Sequence, residues 1–153
     1  MKYINQMTLK FDAISANEGF ARSSVAGFCV LLNPTLDELT DIKTAVSEAV
    51  TNCVVHAYPN KLGTIEIWVG LTQNSVNIAV RDEGIGIDDI EKAREPFYSS
   101  KPNEERSGLG FTVMESFMDT LELNQREKGG LEVVMSKKIK SQKEARGSIN
   151  AIL

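Results

Sequence analysis

The chain has 153 residues, 42% of them hydrophobic and 25% charged, with a formal net charge of -4. That size and balance suit one soluble globular domain with a hydrophobic core. They leave no room for a transmembrane span, because no apolar run approaches twenty residues, and the net charge argues against nucleic acid as the direct partner.

The N-terminus lacks the apolar core of a signal peptide, so a reducing cytoplasm is expected, with Cys29 and Cys53 as buried thiols. Met7, Leu9 and Phe11 alternate with Thr8 and Lys10, which predicts a strand with one buried face. Ser15 to Glu18 has capping-box spacing and predicts a helix burying Ala21, Val25, Phe28 and Leu32, stopped at Asn33-Pro34. Thr35 to Glu38 is a second capping box. It opens a helix whose apolar stripe runs through Leu39, Ile42, Val46, Ala49, Val50 and Cys53 and which ends near Tyr58-Pro59-Asn60. Glu48, Asn52 and His56, four residues apart, stack along one line beside that stripe.

Two period-two runs, Ile65 to Leu71 and Val76 to Val80, predict an antiparallel hairpin that delivers Arg81 and Asp82 to a glycine turn. Trp68 falls on the face opposite Ile67 and Val69, exposed or at an interface. A short helical piece follows at Ile90 to Arg94, then a long polar loop over 96–107. A helix starting at Gly108 to Phe111 is expected to bury Leu109, Val113, Phe117 and Met118. Alternating runs around Leu121/Leu123 and Leu131/Val133/Met135 flank a turn at Lys128-Gly129-Gly130. The pattern predicts an α+β sandwich, with helices on one face of a mixed, mainly antiparallel sheet. Residues 1–139 form one domain in this reading; the tail over 140–153 receives no role.

The candidate chemistry gathers in three places. Asn52 offers a neutral oxygen, and Mg2+ is content with one protein oxygen plus phosphates and waters. Glu48, one turn earlier, suits a base that takes a proton from a hydroxyl or water near those phosphates. Asp82, ahead of Gly84 and Gly86, can accept a hydrogen bond from an exocyclic amine, which suits adenine more than guanine. Gly108, Leu109, Gly110 and Phe111 present free backbone N–H groups at a positive helix end, and Arg106 just before them adds charge for a terminal phosphate. Blander roles stand beside these: Glu48 as a solvated helix face, Lys101 and Arg106 as solvated loop charges, His56 as a helix-end residue.

Together these pieces resemble the N box (Glu48-x-x-x-Asn52), first glycine box (Asp82-x-Gly84-x-Gly86) and second glycine box (Gly108-Leu109-Gly110-Phe111-x-Val113) of the GHKL ATPases. Further stretches resemble the small anti-sigma serine kinases, the sporulation type above all: Glu18 to Arg22, Ser47 to Asn52, Arg81 to Ile87, and Phe97 to Pro102. That resemblance implies the GHKL (Bergerat-type) fold, ATP or ADP with Mg2+, and a homodimer. It implies a bound sigma factor of the sigma F kind and an anti-anti-sigma protein phosphorylated on serine. By the same resemblance, residues 96–107 are an ATP lid, Lys101 and Ser107 join the nucleotide site, Arg22 faces a partner, and residues 1–34 supply partner or dimer contacts. Where the family usually has Gly-Thr before its last strand this chain has Gly130-Leu131, so a threonine contact near adenine is lost or replaced.

Three other functions fit parts of the pattern. One is a nucleotide-gated binding module that transfers no phosphate, which the presence of Glu48 and Arg106 disfavours. Another is a detached histidine-kinase catalytic domain, which lacks a phosphoacceptor segment because the sole histidine lies on the N-box helix. The last is a general-stress relative of the same kinases.

Overall fold

The computed structural model describes residues 1–59, 61–95 and 110–140. Among these residues five strands form one sheet in the order β1-β2-β3-β5-β4. They are β1 (Asn5–Asp12), β2 (Thr64–Leu71), β3 (Ser75–Asp82), β4 (Thr120–Gln125) and β5 (Leu131–Lys138). Every pairing among them is antiparallel, so the mixed component of the expected sheet is not found. The helices are α1 (Glu18–Cys29), α2 (Leu36–Asn52), the short α3 (Ile90–Ala93) and α4 (Gly110–Phe117).

Register sets which side chains meet the helices. Ile67, Val80, Val133 and Leu123 align across four strands, as do Val69, Ile78, Met135 and Leu121. This face packs on Ala21, Val25, Ile42, Val46 and Val50 in one core, the apolar alternation of the strands meeting the 3.6-residue stripe of the helices. The opposite face carries Glu66, Arg81 and Glu132 side by side, with Arg81 Nε donating to Glu132 Oε2 at 2.7 Å. That guanidinium holds the Glu132 carboxyl below its usual range. Trp68 lies on this outer face, half-buried, with Tyr3 edge-on at 5.1 Å and its Nε1 donating to Gln6.

The capping box at α2 is complete: Thr35 Oγ1 accepts from Glu38 N, and Glu38 Oε1 accepts from Thr35 N. The other expected box does not form. Ser15 to Asn17 make a tight turn with no side-chain cap, and Asn17 Nδ2 instead donates to Asp12 O, the end of β1. Glu18, the other member of the expected box, pairs with Arg22. Asn33 stops the first helical segment in the left-handed region, φ 50°.

Two other expectations need correction. In α4 the buried side chain is Met114, with Met118 just beyond the helix, while Val113 is half-buried and Phe117 is 37% exposed. The helix is rotated by about one residue from the face that its sequence suggests. In addition, α2 does not run on as an α-helix to Tyr58. After Asn52 it widens into a π-helical turn, Cys53–Ala57, and His56 lies in that turn rather than in the line of Glu48 and Asn52. Such insertions are frequent at functional sites.

Candidate functional site

Asp82 ends β3 opposite Ile65, on the helix-facing side of the sheet, in line with Ile78 and Val80. The pleat therefore aims its carboxylate at the C-terminal end of α2. It is 4% exposed. Its Oδ1 accepts from Gly84 N at 3.0 Å and Leu131 N at 3.2 Å, while Oδ2 accepts from Cys53 Sγ at 3.6 Å. Leu131 thus meets Asp82 through its backbone, a contact that does not depend on having threonine there.

The glycine turn is fitted to what surrounds it. A Cβ on Gly84 would lie 2.0 Å from Ala57 O, in the π-helical turn, where Ile85 N donates at 2.9 Å. Gly86 has φ +74°, and a Cβ there would lie 2.7 Å from Gln125 Oε1. These positions require glycine for close approach and for positive φ. From the β4–β5 turn, Arg126 Nη1 donates to Asp82 O at 2.7 Å. Tyr58 Oη accepts from Glu83 N at 2.6 Å and donates to Thr64 O at 2.7 Å, joining the turn to the start of β2. Burial pushes the Tyr58 hydroxyl above its ordinary range and it remains a donor.

The second glycine element meets the first at Asn52. A Cβ on Gly110 would lie 2.9 Å from Asn52 Nδ2 and 3.0 Å from Oδ1. The start of α4 therefore rests against the last residue of α2, with the amide half-buried between them. Glu48 sits one turn back, also half-buried, and makes its own polar contact. An oxygen donor, a helix start and a carboxylate on a glycine turn thus surround one end of α2. That set fits a nucleotide: acceptor for the base, backbone close approach along its length, and an amide oxygen for a hard cation among phosphates. Phe111 is partly buried against the core beside them.

Arg22 reaches from α1 to α2. Its Nη1 donates to Glu18 Oε1 at 2.9 Å and to Ser47 Oγ at 3.4 Å, so it bridges α1 to the residue before Glu48. Its side chain keeps 39% of its surface exposed. Lys101, Arg106, Ser107, Gly108 and Leu109, and the whole 96–107 segment, lie outside the described residues. So does the tail from residue 141, whereas Lys140 N donates to Glu38 Oε2.

Sequence reasoning missed Cys53, Tyr58, Gln125 and Arg126. A tyrosine and a cysteine just after the N box are the only local signals they leave, and neither carries a recognisable spacing.

A family model described as "Histidine kinase-like ATPase domain" matches residues 11–137. A Caldanaerobacter subterraneus protein named "Anti-sigma F factor" is 52% identical over 139 residues, 91% of this chain and 97% of its own. Its namesake from Clostridium acetobutylicum is 53% identical over 88% of this chain and 94% of its own. The chain belongs to the anti-sigma F factor family of histidine kinase-like ATPases. Solved structures agree on the fold of this family. The RsbU and RsbW domains of a Mycobacterium tuberculosis protein superpose with a TM-score of 0.65 at 17% identity, covering 88% of this chain and 32% of that one. The nucleotide-free catalytic domain of the histidine kinase ThkA gives 0.56 at 16% identity, covering 89% and 99%. No helix among the described residues is long and apolar enough to cross a membrane.

Proposed function

We propose that this protein is an anti-sigma factor and an ATP-dependent protein serine kinase. It holds a sporulation sigma factor of the sigma F kind inactive as a cytoplasmic homodimer, and it phosphorylates a serine of the anti-anti-sigma antagonist. The observation that carries this reading is the meeting of Asn52, Gly110 and the Asp82 turn around the end of α2. The names of its relatives support the sigma-factor part.

In this reading Asp82 accepts from the adenine amine, and the backbone N–H groups over 108–111 take the phosphates. Asn52 would hold Mg2+, which supplies charge to offset that of the phosphates. Glu48 takes the proton of the attacking serine. Lys101, Arg106 and Ser107 come from the lid over 96–107 to the phosphate end, and Arg106 offsets charge on the γ-phosphate.

Asn52→Ala should weaken Mg-dependent ATP binding by roughly ten- to a hundredfold, the cost of losing one partner of a charged group. Titration calorimetry with and without Mg2+ checks this, and an unchanged affinity that still depends on Mg2+ removes Asn52 from the site. Arg22 faces the partner proteins from α1. Arg22→Ala should weaken sigma and antagonist binding about tenfold or more, with ATP binding intact. Normal capture of both proteins would reject that role.

The reading as a whole is tested by size-exclusion chromatography of the protein with sigma F and Mg-ATP. The sigma factor should co-elute with it and leave the complex when unphosphorylated antagonist is added. A sigma factor that never co-elutes overturns the proposal.

A further inference from the structure

The π-helical turn Cys53–Ala57, with Tyr58 behind it, touches every residue of the segment 82–85. Cys53 Sγ meets Asp82, Tyr58 Oη meets Glu83 N, Ala57 O accepts from Ile85 N, and Gly84 packs against Ala57. The widened turn thus acts as the template for the carboxylate end of the site. Within it, the Cys53 side chain touches the Asp82 carboxylate directly.

We propose that Cys53 is a specificity-determining positioning residue, whose S–H pins Asp82 Oδ2 and so fixes the direction in which the carboxylate accepts from a purine. This rests on the nucleotide reading of Asp82 given above. Three protein donors converge on the carboxylate: Gly84 N and Leu131 N on Oδ1 and the thiol on Oδ2. A carboxylate has about four lone-pair positions, so what remains for a ligand is acceptor capacity in a fixed direction. That capacity matches the amine of adenine and opposes the carbonyl of guanine, since an acceptor facing an acceptor leaves both unpaired. The Sγ–Oδ2 contact of 3.6 Å has the thiol as its donor and the carboxylate as its acceptor. Without the S–H, Oδ2 loses its partner from the π-helical turn, the carboxylate gains freedom to turn, and discrimination relaxes.

The test is ATP and GTP affinity, each with Mg2+, for the full chain and for Cys53→Ala, Cys53→Val and Cys53→Ser, with melting temperature as the control for folding. The wild type should prefer ATP. Cys53→Ala should lose about tenfold of that preference, chiefly through weaker ATP binding. Cys53→Val, close in shape but without a donor, should behave alike and serves if the alanine variant does not fold. Cys53→Ser keeps a donor and should keep the preference. Wild-type ATP-to-GTP ratios in the alanine and valine variants overturn the role of Cys53 while leaving the adenine reading of Asp82 standing. A wild type that binds both purines equally overturns that reading, and this proposal with it.

Discussion

Replacing Glu48 by Gln should slow phosphate transfer to the antagonist serine by roughly two to four orders of magnitude, the usual worth of a positioned base. A serine hydroxyl is a poor nucleophile at neutral pH, and Gln keeps the size and hydrogen bonding of Glu while removing its basicity. Glu48 lies one turn from Asn52 on α2, half-buried, on the helix whose end forms the site. The variant should bind ATP and the sigma factor nearly as the wild type does. Single-turnover transfer rates with saturating antagonist read the effect. In cells, Glu48→Gln should give an inhibitor that the antagonist still displaces but that no longer inactivates the antagonist. Transfer at the wild-type rate would exclude Glu48 as the base.

The second large effect is expected at Gly130. Its φ is +96°, and a Cβ there would lie 2.1 Å from Asp82 O and 2.9 Å from the Glu83 Cα. Gly130→Ala must therefore both strain its own backbone and push the end of β3 away. That breaks the Arg126 contact with Asp82 O and the Leu131 N contact with Oδ1. Strain and overpacking together should cost about 3 kcal/mol or more, with ATP binding lost in whatever fraction remains folded. Gly129 provides the control. Its φ of +98° is equally unfavourable for alanine, but its Cβ would meet nothing closer than 3.6 Å. Gly129→Ala should cost only the strain, about 1–3 kcal/mol. Urea melts of the two variants separate the terms, and equal losses would show that the steric clash with Asp82 is relieved by a small shift.

Much of the fold is legible in the chain because its strongest signals are local. The capping box at Thr35 and Glu38, the alternation over Ile65 to Leu71, and the punctuation at Asn33-Pro34 each lead to the element observed. Glu48 and Asn52 share a helix line because four residues make about one turn. The box at Ser15 to Glu18 misleads because Ser15 lies inside a tight turn rather than at its cap and Glu18 pairs with Arg22. The inner support of the site is hidden because it depends on long-range register. Cys53, Tyr58 and Arg126 reach the Asp82 turn across 29, 25 and 44 residues of sequence. No periodicity announces a π-helical turn, yet that turn decides which groups face Asp82. The rotation of α4 is hidden likewise: Met114 and Phe117 are similarly apolar, and tertiary packing in the shared core decides which is buried.

The central claim is that nucleotide held at Asn52 and the Asp82 turn gives its phosphate to a serine of another protein. The most direct measurement is incubation of the purified chain with γ-labelled ATP, Mg2+ and the antagonist, followed by phosphoamino-acid analysis. The account predicts label on a serine of the antagonist, absent with Glu48→Gln at the same time point. Tight ATP binding and sigma capture with no label on a competent antagonist would contradict it, and would make the protein a nucleotide-gated binding module.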